Sequence, residues 1–205
     1  MQFTNTHILP TAYLGPIEYY ALLLQKPCSV ETNEFFIKQS IRTRCNIYSA
    51  NGKLSLAVPK IRKSSSKTLI NDIKISYDTA WQKEHWKSLT SAYNSSPFFE
   101  YYVDELAPLF ERKFKFLLDL NMSLHQKIMS IMQLPTKTNT TKAFEKVETK
   151  LDYRNYAFDK KDMSRYIQVF ESKNDFIPNL SILDLLFNEG TNAEEYLLNV
   201  SIQQQ

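Results

Sequence analysis

The residues with the clearest potential for chemistry lie in an aromatic stretch at 77–105. It holds both tryptophans of the chain and His85, which is one of three histidines. An imidazole has an ordinary pKa of about 6.5, so His85 can act as a general base. The alternative is a histidine packed between Trp81 and Leu89, because aromatic stripes at helical spacing are usually core.

Two arginines, Arg42 and Arg44, stand two positions apart in an alternating run at 35–47. Residues two apart in a strand point to the same face, so this spacing predicts two neighbouring guanidinium groups with Lys38 on the same face. Such a pair is well suited to bind a phosphate or a carboxylate. The alternative is a solvated strand face that binds no ligand.

The opposite face of the same run is apolar and carries Cys45 beside Ile41 and Ile47. A thiol in apolar surroundings is usually buried and inert, with a raised pKa. The alternative is a nucleophile–base pair formed by Cys45 and His85.

The elements that position these groups follow from apolar spacing and from helix and turn signals. Trp81, His85 and Leu89 share one face of a predicted helix that begins after an N-cap at Asp78 or Thr79. The stretch 94–97 ends that helix, because residues before a proline avoid helical backbone angles. Asn51-Gly52 predicts a tight turn between the alternating run and a return strand at 54–58.

Elsewhere the pattern predicts strands at 6–9, 28–32, 69–77, 143–150 and 166–170. Helices are expected at 17–25, 109–133, 182–187 and 193–200, with Ser181 and Thr191 capping the last two. We therefore predict an α+β fold in a single domain. Its first part, 1–77, is a mostly antiparallel sheet with a hairpin at 41–58. Its largely helical second part, 78–205, packs on that sheet.

Composition excludes several functional classes. With 3 glycines the chain has no glycine-rich phosphate loop, and its His and Cys spacing matches no metal motif. The net charge of +3 is low for a nucleic-acid binder. No apolar run reaches the ~18 residues of a membrane span, and the start lacks a signal-peptide pattern. We expect a cytoplasmic protein with no metal, no cofactor, no nucleic-acid partner and no stable membrane insertion.

A basic, serine-rich loop at 60–68 follows the predicted hairpin. It is long enough to close over an anionic ligand. A plain connection with solvated lysines is the alternative.

Four stretches together resemble the WbqC-like protein family over nearly the whole chain: ILPTAYLGPIEYYALL, KQSIRTRCNIYSANGKLSLAVP, INDIKISYDTAWQKEHWKSLTSAYNSSPFFEYYVDEL and SILDLLFNEG. The family is bacterial and is associated with gene sets for O-antigen and other surface polysaccharides. The resemblance implies an amino-acid (glycine) transferase. The residues that match family positions are Tyr13, Pro16, Lys38, Arg44, Trp81, His85, Tyr93, Phe98 and Tyr101. The chain departs from the family pattern at Ile37 and Thr43.

Two hypotheses follow from the residues and the resemblance. In the first, a transferase acts on an anionic small molecule, either a nucleotide sugar or a lipid-linked sugar. Lys38, Arg42 and Arg44 hold its phosphate or carboxylate, and His85 takes the proton from the attacking group. The rings that stack on the sugar or base are those of Tyr13, Trp86 and Tyr93. In the second hypothesis, the protein is a non-catalytic ligand-binding or assembly protein of the same pathway. The first requires both arginines and His85 to open into one water-accessible hollow.

Overall fold

The computed structural model describes residues 5–61 and 67–202 of the chain. The fold is α+β, with two small sheets followed by a mostly helical part. Strands β1 (His7–Pro10) and β2 (Cys28–Glu31) form a parallel pair, and helix α1 (Ile17–Gln25) connects them. A proline at the start of α1 and another just after its end bracket the helix, as the sequence predicts.

Strands β3 (Arg44–Ser49) and β4 (Gly52–Ala57) form the predicted antiparallel hairpin. Gly52 has a φ of 92°, a left-handed angle that glycine adopts without strain. The predicted hairpin is confirmed, but Ser49 pairs with Gly52, so the loop residues are Ala50 and Asn51 and Gly52 is the first residue of β4.

The helical part contains helices α2 (Trp81–Tyr93), α3 (Phe99–Glu111), α4 (Leu117–Ile131), α5 (Glu171–Asn174), α6 (Ile182–Glu189) and α7 (Ala193–Asn199). Ser181 caps α6 by accepting a hydrogen bond from the backbone N–H of Leu183. The predicted side-chain caps of α2 and α7 do not form. Ala80 and Asn192 occupy those N-cap positions without a side-chain bond.

The predicted strand at 35–47 is wrong over most of its length. Only its last residues belong to β3, and the chain turns sharply before them. The backbone N–H groups of Thr43 and Arg44 both bond to the carbonyl of Ser40, and Gln39 has a φ of 56°. Because of this turn, the chain before β3 does not alternate as a strand does. The prediction that Arg42 and Arg44 share one strand face therefore fails.

The predicted long helix at 109–133 is two helices, because the chain is extended between α3 and α4. The N–H of Ile75 bonds to the carbonyl of Lys115, and the N–H of Leu117 bonds to the carbonyl of Ile73. These bonds tie the break between the helices to the stretch at 69–77. That stretch forms a 3₁₀ turn (Ile70–Asp72) and single bridges instead of the predicted strand.

The predicted strands at 143–150 and 166–170 are also wrong. Single bridges at Thr140 and Asp152 flank the β1–β2 pair on its two sides. The stretch between these bridges is a loop that ends in a 3₁₀ turn (Thr149–Leu151). Stretch 166–170 has no strand partner and instead holds side-chain contacts around α6.

Candidate anion-binding groove

A groove of about 630 Å³ opens beside the β3–β4 hairpin. Its walls come from the turn before β3, from the chain that leaves β4, and from the 3₁₀ turn with the residues after it. Six side chains give the groove its chemical character: Phe36, Lys38, Arg44, Lys60, Asp72 and Lys74. We call Lys38, Arg44, Lys60 and Lys74 the groove cations.

The local backbone explains why these cations face outward. Arg44 opens β3 opposite Ala57, and its side chain is exposed while the next residue, Cys45, is buried. Lys60 bridges to Ile75, and the N–H of Ile61 bonds to the carbonyl of Lys74 at 2.9 Å. Alternation along this pair of extended segments buries the isoleucines at 73 and 75 and exposes Lys74 between them.

The groove is strongly cationic. Among the described residues that line it, Asp72 is the one carboxylate against four groove cations. None of the groove cations forms an ion pair with a described carboxylate. Lys60 places Nζ 5.2 Å from the centre of the Phe36 ring, a cation–π arrangement. Unpaired cations in a concave site attract an anion, because the walls focus their field.

Arg42 lies outside the groove. Its side chain is almost fully buried and donates two hydrogen bonds to the carboxylate of Glu34. It also donates to the backbone carbonyl of Arg154 at 2.9 Å. Its guanidinium is therefore engaged in the interior, away from the guanidinium of Arg44.

His85 also lies outside the groove and is 6% exposed. The Tyr13 hydroxyl and Nδ1 of His85 share a hydrogen bond of 2.8 Å, and the Trp81 ring meets the imidazole edge to face at 5.1 Å. Burial lowers the pKa of His85 to about 4 and raises the pKa of Tyr13 well above its usual value. At neutral pH the imidazole is a neutral group inside the core.

The other two predicted stacking residues pack within the protein. Trp86 is half-buried, with its ring 5.1 Å from that of Phe110 on α3. Tyr93 is fully buried. Its hydroxyl donates to the Asp184 carboxylate at 2.8 Å and accepts from the backbone N–H of Tyr48 at 3.0 Å.

Of the seven predicted site residues, the structure brings Lys38 and Arg44 together in the groove. It places Arg42, His85, Tyr13, Tyr93 and Trp86 elsewhere, so the two arginines and His85 do not share one hollow. Sequence reasoning included Lys60 only as part of a basic loop, and it missed Lys74 and Phe36. The alternation of Lys74 between two isoleucines was the available signal for an outward-facing lysine.

The expected anion-binding loop at 60–68 lies partly outside the described residues, which omit 62–66. Within the described part of the chain, no three His, Cys, Asp or Glu side chains are placed to hold a metal ion. Across the same residues, no helix combines the length and the apolar character needed to cross a membrane.

A smaller cleft of about 240 Å³ shares Arg44 with the groove. The side chains that make this cleft polar are Asn46, Lys53, Asp159 and Lys161. Arg44 thus lines both the cationic groove and a polar cleft.

Comparison with known families matches residues 12–174 and 140–196 to the WbqC-like protein family. The chain belongs to this family. This WbqC-like protein is also 27% identical over 193 aligned positions to the uncharacterised protein Rv1507c of Mycobacterium tuberculosis, covering 79% of this chain and 83% of that relative. No solved structure matches the chain.

Proposed function

We propose that this WbqC-like protein binds an anionic sugar derivative in the groove, as a cytoplasmic step of bacterial surface-polysaccharide (O-antigen-type) biosynthesis. The ligand is a nucleotide sugar or a lipid-linked sugar. The observation that carries the proposal is the convergence of the groove cations without a carboxylate partner among the described residues.

The dimensions and chemistry of the site support this class of ligand. Small-molecule pockets have volumes of roughly 300–1,000 Å³, and the groove falls inside that range at about 630 Å³. The groove cations suit a phosphate or diphosphate, and the Phe36 ring offers a flat surface beside them. The polar cleft beyond Arg44 has the donors and acceptors that a sugar requires.

The geometry favours ligand binding over the amino-acid transferase activity that the family resemblance implies. In the transferase hypothesis, His85 must lie beside the bound ligand to accept a proton. His85 is instead buried against Tyr13 and Trp81. Ligand binding by the groove requires no contribution from His85.

Calorimetric titration with UDP-glucose and with inorganic pyrophosphate tests the proposal. Removing one charged hydrogen-bond donor weakens binding by about tenfold or more, because such bonds contribute ~1.5–3 kcal/mol each. Arg44→Ala and Lys38→Ala should show this loss. Lys87→Ala removes an exposed lysine on α2 that lines neither the groove nor the cleft, so it is the matched control.

Failure of both probes to bind the wild-type protein, or equal affinity for wild type and Arg44→Ala, would refute the groove assignment. The pathway assignment has a separate test. A deletion strain should lack a component of its surface glycan, and restoring the gene with Arg44→Ala should not recover it. An intact glycan in the deletion strain would remove the biosynthetic role.

A further inference from the structure

Large apolar side chains are exposed around the groove. Phe35, Ile37 and Ile61 are 54%, 37% and 50% exposed. Phe35 and Ile37 flank Phe36, which lines the groove, and Ile61 belongs to the wall itself. We call Phe35, Ile37 and Ile61 the apolar rim.

Backbone contacts hold the apolar rim in place. Phe35 bridges to Leu69, and the N–H of Phe36 bonds to the carbonyl of Thr68 at 2.9 Å. On the other segment, the N–H of Ile61 bonds to the carbonyl of Lys74. Phe35 and Ile61 are therefore presented to solvent by paired segments of backbone.

Lysines alternate with these apolar groups. Lys38 follows Ile37 directly, and Lys60 precedes Ile61. Lys67 places Nζ 5.8 Å from the centre of the Phe35 ring, and Lys74 pairs through its backbone with Ile61. The surface therefore combines exposed apolar side chains with lysines that lie next to them.

This combination fits one kind of partner better than others. Aromatic and aliphatic side chains enter the boundary between lipid headgroups and acyl chains, while lysines around them attract anionic headgroups. Interfaces with other proteins are depleted in lysine, so they match the surface less well. The low net charge of the whole chain argues against nucleic acid.

We propose that the apolar rim and its surrounding lysines dock this protein on an anionic lipid surface. The rim side chains enter the headgroup boundary, and the groove then faces the phosphate layer. The groove ligand is consequently a phosphate that remains attached to a lipid, a step that rests on the proposed function.

Co-sedimentation of the full chain with vesicles tests the docking. Vesicles of phosphatidylcholine with phosphatidylglycerol should bind the protein, and vesicles of phosphatidylcholine alone should bind it far less. Added salt should weaken binding to the anionic vesicles, because the lysine contribution is screened. The double variant Phe35→Ser/Ile37→Ser should bind anionic vesicles roughly tenfold less well, because two apolar side chains no longer leave water.

The matched control is Ile167→Ser, which removes an apolar side chain that is 80% exposed and lies outside the groove. This control should bind vesicles as the wild type does. Urea denaturation of each variant checks that the fold is retained. Titration with pyrophosphate should give the same affinity for wild type and the rim variant, because Phe35 and Ile37 do not line the groove.

The outcomes separate docking from groove binding. Pyrophosphate binding without vesicle binding would overturn the docking and leave the groove function standing. Vesicle binding without binding of pyrophosphate or UDP-glucose would support docking and overturn the proposed function. Equal vesicle binding by wild type and the rim variant would show simple electrostatic adsorption and would overturn insertion of the rim.

Discussion

Arg42 donates two hydrogen bonds to the carboxylate of Glu34, from Nε at 2.7 Å and from Nη2 at 2.5 Å. Both side chains are almost fully buried, with exposures of 2% and 4%. The backbone carbonyl of Arg42 also accepts a hydrogen bond from Asn121 on α4. This pair therefore joins the turn before β3 to the helical part and holds a charge that a ligand cannot reach.

Arg42→Ala should destabilise the protein by about 3–5 kcal/mol, because it leaves the Glu34 carboxylate buried without its partner. Urea denaturation at neutral pH measures the change. Arg44→Ala is the control and should change the free energy of unfolding by no more than ~0.5 kcal/mol, because its side chain is exposed. Equal effects of the two substitutions would contradict the different placement of the two arginines.

Stability should depend on pH through two buried histidines. Burial lowers the pKa of both His85 and His125 from 6.5 to about 4, so the unfolded chain binds more protons between these values. The contribution of each histidine to the free energy of unfolding is complete above about pH 6.5 and is lost as the pH falls toward 4. It amounts to on the order of 3 kcal/mol per histidine.

Urea denaturation of wild type and His85→Gln at pH 7 and at pH 4.5 measures this effect. The variant should be less stable at pH 7 but should lose less stability on acidification. Other titrating groups, including the buried Asp184, are present in both proteins and cancel in the comparison. The same loss of stability on acidification in both proteins would show that His85 is not buried in its neutral form.

Tyr93→Phe should destabilise the protein by about 1–3 kcal/mol, because the N–H of Tyr48 loses its acceptor and Asp184 loses a donor. Tyr101→Phe is the matched control, since Tyr101 is 74% exposed. Thermal unfolding of both variants checks this result. Unchanged stability of Tyr93→Phe would contradict the buried hydrogen bonds of this hydroxyl.

Both cysteines should react slowly with a thiol reagent in the native protein. Burial raises the pKa of Cys45 far above its usual value and raises the pKa of Cys28 to about 12, so little thiolate forms near neutral pH. Dithionitrobenzoate kinetics at pH 8 measure the rate, and unfolding in urea should release both thiols. Rapid labelling of Cys45 in the native protein would contradict this prediction and would support Cys45 as a nucleophile.

Local chemistry accounts for the elements that the sequence predicts well. The first helix lies between two prolines, α6 begins at a serine cap and ends at Gly190, and the hairpin turns just before Gly52. Each of these signals acts within a few residues, so it is visible without knowledge of distant partners. The α+β class follows from such elements taken together.

The tertiary structure alone decided which polar groups belong to the surface. The period-2 pattern predicts the same exposed face for Arg42 and Arg44. In the structure Arg42 is buried and bonds to Glu34 and to the backbone carbonyl of Arg154. Likewise, the buried His85 shares a hydrogen bond with Tyr13, which lies 72 positions away in the sequence. A buried ionic or polar group is stable only where its partners are supplied, and here those partners come from parts of the chain that no local pattern connects.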